Sequence, residues 1–383
     1  MEIPSHTPLR DVSLSPDVTY VTSERRLAEL CERWCTLPAI GLDTEFVRTD
    51  TFYARAGLFQ IADGEGRYLV DPLEVGAAES MAGVLASTTV TKVIHACGED
   101  VELLRQFFGV VPQRVFDLQL GVAFAGGPYS VSYAGLVERY LGEAVEKDHT
   151  RSDWLQRPLS EDQLRYAAQD VEYLLPVYQA LVDALAGDSR SDWVLEESQM
   201  RVEEAAQIPE SKTYYRGVSG AHRLSPRRLE TLRQLCRWRE ETARAEDRPR
   251  NRIVADKALL TIAADNATTR NDLRESLSPR TVRRYGETLL DLIEDAADVP
   301  DSELPDAIPP PVQQKHGELI GQLREFARAR AADLGLAEEL IARRRLVEDF
   351  VRAHIRGDGL PAKFRGWRAD VVTRDFQRLA EGR

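Results

Sequence analysis

Residues 39–46 read AIGLDTEF, and the alternation in that segment decides how the first half of the chain is read. Ile40, Leu42 and Phe46 share one parity, while Asp43 and Glu45 fall on the other. A period of two marks a strand, and residues two apart on a strand project from the same face of the sheet. Two carboxylates in the interior of a strand are unfavourable unless something compensates them, and a divalent cation does so. A solvated edge strand is the alternative, and the apolar flanks Ala39, Ile40, Leu42 and Phe46 speak against it.

Working outward, residues 27–37 read as a helix before this strand. Segments 56–62 (AGLFQIA) and 67–70 (RYLV) flank Asp63-Gly64-Glu65-Gly66, which predicts a β-hairpin. Residues 91–96 (TKVIHA) predict a buried strand, followed by a helix over 99–108, a short strand at 115–118, and helices at 135–140 and 160–185. Strands followed by crossover helices make an α/β domain with helices on the faces of its sheet. Beyond residue 212 the pattern turns helical and rich in Arg, Leu and Ala. Ser225-Pro226 marks a helix start, and five prolines within 299–311 mark a linker.

The net charge of −13 over 383 residues argues at first against a nucleic-acid binder. Split at residue 212, it becomes −17 in the first half and +4 in the second. The acidity therefore lies in the first half, and the second half is mildly basic. A content of 43% hydrophobic and 30% charged residues excludes wholesale disorder. No apolar run approaches the ~18 residues of a membrane span, and Met1–Arg10 lacks an apolar signal core, so a cytoplasmic chain is expected. Cys31 and Cys35 stand four apart without a second pair at metal spacing, which favours two small apolar residues on a helix face over half a zinc site.

Three further residues join Asp43 and Glu45. Asp100 opens the helix after TKVIHA, where a simple helix cap is the alternative. Tyr166 and Asp170, in LRYAAQDVEYLL, are i and i+4 on one helix face, where a surface pair is the alternative. Hard oxygen ligands spread over a strand and two helices suit Mg²⁺ or Mn²⁺ rather than zinc.

DTEF, HACGED and YAAQD, with KDHTRSDWLQRPLS upstream of the last, resemble the DEDDy class of 3′→5′ exonucleases, and within it the bacterial ribonuclease D family. The helical stretch from Ser225 resembles an HRDC domain, and ARRRLVEDF with GWR resembles the end of a degenerate second one. The resemblance implies an RNase H-like α/β exonuclease domain, a mixed sheet flanked by helices, followed by two small all-α HRDC-type domains. The implied boundaries are an extension over 1–17, the exonuclease over 18–212, HRDC over 217–298, a proline-rich linker over 299–312, and an HRDC-like module over 313–383.

In function, the resemblance implies a metal-dependent exoribonuclease that releases 5′-mononucleotides from RNA with a single-stranded 3′ end, tRNA precursors among them. A DNA exonuclease and a catalytically silent RNA-binding adaptor are the alternatives. Two Mg²⁺ or Mn²⁺ ions are implied, held by Asp43, Glu45, Asp100 and Asp170, with Tyr166 orienting the attacking water. Phe46 and Gln60 are candidate contacts for the terminal nucleotide, and Arg48, Lys147 and Arg151 for phosphate. His149 stands too far before Asp170 to replace Tyr166, His95 suits a supporting role, and Asp117 a structural one. Arg233, Arg237, Arg244, Arg248, Arg250 and Arg252 form either a basic face for RNA or a solvated face interspersed with acids. A monomer without an obligate protein partner or membrane attachment is expected.

Overall fold

The computed structural model describes residues 15–145, 152–187 and 189–382. Six strands form one sheet: β1 (Val18–Val21), β2 (Ala39–Val47), β3 (Arg55–Ala62), β4 (Arg67–Val70), β5 (Thr91–Ile94) and β6 (Val115–Asp117). Their order in space is β1-β4-β3-β2-β5-β6. The central strands β2, β3 and β4 are antiparallel, and the Asp63 side chain closes the β3–β4 turn by accepting from the Glu65 and Gly66 amides. The pairs β1–β4, β2–β5 and β5–β6 are parallel. Parallel neighbours need crossovers. Helix α1 (Glu24–Trp34) lies between β1 and β2, and α2 (Gly98–Phe108) between β5 and β6.

Strand β1 has no counterpart in the sequence reading, because a four-residue strand at a sheet edge carries too few alternations to register. Further helices of this part are Pro72–Val75 and Glu79–Ala86, α3 (Leu118–Phe124), a short one at Tyr133–Leu141, α4 (Glu161–Glu172), α5 (Leu174–Ala184) and α6 (Arg190–Ala206). The expected helix over 160–185 is thus two helices, parted at Tyr173. The cause is a side chain. Tyr133 donates its hydroxyl to the Gln169 carbonyl at 3.0 Å and accepts from the Tyr173 amide at 3.1 Å, so a phenol sits where the i→i−4 bond would run.

The chain divides into two compact units. One contains the sheet and its helices, together with residues 316–383; the other contains residues 48–54 and 208–315. In the second unit, α7 (Pro226–Ala245) and α8 (Pro279–Asp298) are each capped by a serine followed by proline. They enclose a core of Leu229, Leu232, Leu235, Ile262, Leu273, Val282 and Leu289. Phe52 packs against that core, and Asp247 accepts from the Phe52 and Tyr53 amides, each at 3.0 Å. Residues 48–54, only three beyond Glu45, therefore belong to the helical unit.

The six arginines singled out from the sequence each have an acidic neighbour. Arg233 pairs with Glu230, Arg237 with Glu241, Arg244 and Arg250 both with Glu240, Arg248 with Glu246, and Arg252 with Asp50. Arg250 also lies over the rings of Phe52 and Tyr214, 4.8 Å from each centroid. Their charge is answered by neighbouring acids.

In the first unit, residues 316–383 include helix α9 (Arg344–Arg356), with Phe350, Phe364 and Phe376 packed together. The proline-rich linker separates this segment in sequence, and the structure groups it with the sheet. Its Trp367 stacks on Trp193 of α6, centroids 5.5 Å apart, and meets Phe124 of α3 edge-on. All four cysteines are free thiols. Among the described residues, no helix is long and apolar enough to cross a membrane.

Candidate active site

Strand β2 pairs with β5 only over Ala39–Gly41, so its carboxyl half runs on without a neighbour on that side. Asp43 and Glu45 lie in this overhang, at the carboxyl end of the strand, where open α/β sheets form their ligand crevices. On the other flank β3 continues alongside, and its register shifts at Glu45/Phe46, leaving Gly57 as the extra residue of a bulge. Bulges redirect side chains and commonly stand beside active sites. A Cβ on Gly57 would meet Trp154 at 2.5 Å, so only glycine lets the segment after residue 152 press onto β3. Arg157 fastens that segment, with 2.6 Å bonds from Nε and Nη2 to the Asp71 carboxylate and a 2.8 Å bond from Nη2 to the Gly57 carbonyl.

Helix α4 begins with a reciprocal cap. Ser160 Oγ accepts from the Gln163 amide, and Gln163 Oε1 accepts from the Ser160 amide. Its packed face, Leu164, Ala167 and Ala168, lies in a core with Leu58, Leu69 and Trp154. The adjoining face carries Tyr166, whose ring centroid is 6.1 Å from that of Trp154, and Asp170, which its hydroxyl contacts.

Carboxylate oxygens of Asp43, Glu45 and Asp170 come within 4.8 Å of one another. Asp100 stands at the side, buried in the first turn of α2, where its Oδ1 accepts from Thr44 Oγ1 at 2.5 Å. Electrostatics describe a group of acids too close for comfort. Burial, then the charges of Asp100, Asp170 and Glu45, hold the Asp43 carboxyl well above the usual range. Glu45 is pushed up to about 8 by burial and the Asp170 and Asp100 charges. Burial raises Asp170 to about 7, against the Tyr166 hydrogen bond, and Asp100 to about 6, against the Thr44 hydrogen bond. Tyr166 is raised by burial and by Asp170 and Glu45, so its phenol stays protonated at neutral pH. A set of desolvated, mutually repelling hard oxygens fits Mg²⁺ or Mn²⁺, whose charge supplies the missing compensation.

The other candidates separate. Phe46 is half-buried beside the bulge. Gln60, directly opposite Asp43 on β3, is fully buried, with neither amide atom hydrogen-bonded. It faces the acids from inside the fold and offers no surface to a nucleotide in this arrangement. Arg48 belongs to the second unit. Lys147, Arg151 and His149 lie outside the described residues. His95 Nε2 is 3.0 Å from the Val131 carbonyl, and burial lowers its pKa. Sequence reasoning assigned no individual role to Thr44, Trp154, Arg157 or Tyr133, although Trp154 and Arg157 stand in the quoted KDHTRSDWLQRPLS. Thr44 was within reach, since it is the residue between the two acids; the other three declare themselves only through contacts distant in sequence.

A family model described as a 3′-5′ exonuclease matches residues 18–186, and one for the HRDC domain matches residues 228–293. The chain is 40% identical over 360 residues to Ribonuclease D of Pseudomonas paraeruginosa, covering 93% of this chain and 96% of that one. The chain belongs to the ribonuclease D family. Ribonuclease D of Escherichia coli is 33% identical over 371 residues, covering 94% and 98% of the two chains. A crystal structure of E. coli RNase D, described as an exoribonuclease involved in structured RNA processing, superposes with a TM-score of 0.89 at 32% identity, over 95% of this chain and 98% of that one. The catalytic core of RRP6 from Trypanosoma brucei is a more distant likeness, with a TM-score of 0.58 at 26% identity, over 76% and 83%. The chain is accordingly a 3′→5′ exoribonuclease, built as an α/β exonuclease domain followed by an HRDC helical region.

Proposed function

We propose that the enzyme trims single-stranded 3′ ends of tRNA precursors and other small structured RNAs, releasing 5′-mononucleotides by hydrolysis assisted by two divalent ions. The observation that carries this reading is the convergence of Asp43, Glu45 and Asp170 within 4.8 Å, beside the Tyr166 hydroxyl. Bound divalent ions would supply positive charge to the scissile phosphate and lower the pKa of a water molecule. Asp43 and Asp170 face each other from strand and helix and would hold them, with Glu45 completing the set and Asp100 acting from the side. Tyr166 keeps its proton, so its part is to orient the attacking water by a hydrogen bond rather than to remove a proton. Trp154, packed against Tyr166, holds the phenol in that direction. A monomer acting in the cytoplasm belongs to the same proposal, as does an HRDC-like nature for residues 313–383.

The test is an incubation of the purified full chain with 5′-labelled RNA and sequence-matched DNA, in Mg²⁺, Mn²⁺ or EDTA. Stepwise shortening of RNA to mononucleotides is expected, abolished by EDTA and by Asp43→Ala. Equal or faster shortening of DNA would overturn the substrate, and no shortening of either would overturn the catalytic reading.

A further inference from the structure

Helix α6 is gripped from two sides, and the two grips lead to different places. On one side is the C-terminal segment. Arg368, 3% exposed, sets its guanidinium on Glu197 with bonds of 2.6 and 2.8 Å, and the Trp367 indole donates to the same carboxylate at 3.1 Å. The Trp367 amide reaches Glu196 at 3.2 Å, and Arg190 Nη2 reaches the Leu334 carbonyl at 2.7 Å. A buried arginine and carboxylate bound in this way cannot part without leaving a charge unpaired.

On the other side is Asp117, whose carboxylate is entirely buried. Its amide donates to Ser198 Oγ at 3.0 Å, and Arg201 Nη1 donates to its Oδ2 at 3.2 Å. Its Oδ1 accepts from the Gln119 amide at 2.9 Å and from the Ala96 amide at 3.0 Å. Ala96 has φ of +59°, the left-handed region, which strains a residue with a Cβ and persists only where surroundings enforce it. The chain turns there out of β5: the Gly98 amide bonds back to the Ala96 carbonyl at 2.8 Å, and α2 begins at Gly98 with Asp100 in its first turn. Helix α6 also packs along α2 itself.

We propose that residues 316–383 serve as a brace for the catalytic site, with Arg368 and Asp117 as positioning residues that set Asp100 through Glu197, Ser198 and the turn at Ala96. The inference rests on the reading of Asp100 as a residue of phosphodiester cleavage. It assigns to this segment a task separate from any grip on RNA. Loosening Arg368 frees α6, α6 releases Asp117, and Asp117 no longer holds the turn that aims Asp100.

The two tasks differ in kinetics. The full chain is assayed with a long single-stranded RNA and with the p-nitrophenyl ester of a nucleoside monophosphate, a substrate too small to extend along a protein surface. Arg368→Met is expected to lower kcat about tenfold or more on both substrates, with KM for the long RNA nearly unchanged and the Mn²⁺ dependence moved to higher concentration. Arg368→Lys, which keeps one bond to Glu197, is expected to recover part of the loss. Ser198→Ala leaves the Arg368–Glu197 pair intact and removes one of the two bonds from α6 to Asp117, the other being that from Arg201. It is expected to show the same pattern, and it decides the matter if Arg368→Met fails to fold by circular dichroism. A loss confined to KM for the long RNA, or wild-type kcat in Ser198→Ala, would overturn the brace. Full activity in Asp100→Asn would overturn the underlying reading of the site, and the brace with it.

Discussion

Glu45→Gln removes one charge from the carboxylate group while keeping its shape. In the metal-free protein Glu45 takes up its proton near pH 8, against an ordinary value of 4.5. Between those limits the folded state holds a proton that the unfolded chain has released, so stability falls as pH rises through the window. The separation corresponds to at most about 5 kcal/mol by pH 8, at roughly 1.4 kcal/mol per decade. Asp43, Asp170 and Asp100 share the strain, and a net gain of about 2 kcal/mol for the glutamine variant is the working figure. At roughly 2–4 °C per kcal/mol for a domain of this size, that is a rise in Tm of about 4–8 °C. The assay is thermal unfolding of both proteins in EDTA, from about pH 5 to about pH 8.5. The curves are expected to meet at the acid end and separate as pH rises, with the variant the more stable. Adding Mn²⁺ reverses the order, because the wild-type acids gain a cation that the variant holds less well. Equal or lower stability of Glu45→Gln at pH 8 in EDTA would refute the reasoning that this site is strained without cations.

Three further outcomes follow from single side chains. Tyr166→Phe is expected to reduce turnover at least about tenfold while leaving RNA affinity by filter binding within about twofold; unchanged turnover would remove the phenol from the mechanism. Gln60→Met replaces a buried amide that lacks partners with an apolar side chain of similar length. Calorimetry is expected to show a metal-free protein as stable or more so, and a wild-type Mn²⁺ affinity would show that the amide has no part in holding the acids. Arg250→Met leaves Glu240, whose side chain is fully buried, with Arg244 alone, and is expected to cost about 2–4 kcal/mol of unfolding free energy. Its RNA affinity should keep the same slope against salt, since a guanidinium already paired within the protein releases few counterions.

The clustering of the candidate acids was legible because strand parity and helical spacing act over a few residues. Asp43 with Glu45, and Tyr166 with Asp170, need only the periods of two and 3.6. Other features depend on contacts that no local pattern carries. Strand β1 forms because β4 offers it an edge, and the break at Tyr173 arises from a tyrosine forty residues earlier. Gln60 looked like a substrate contact from its place in the sequence, and its burial became visible only once α4 lay over β3 and β4. The arginines of α7 and the loop after it suggested a basic face, and their spacing from Glu240, Glu241 and Glu246 was equally consistent with the ion pairs that form. Nothing in GWR hints that its tryptophan and following arginine answer a glutamate 170 residues away.

The two units are interleaved along the chain, and that has a consequence for synthesis. Residues 48–54 leave the ribosome long before residues 208–315 exist to receive Phe52 and Tyr53. The sheet, complete in its strands by residue 117, then waits until Trp367 and Arg368 emerge before α6 has its second support. A nascent chain therefore passes through a long interval with every candidate active-site acid already made and the support of α6 unfinished. Under the proposed brace, full nuclease activity is expected only after residues 367 and 368 have been made.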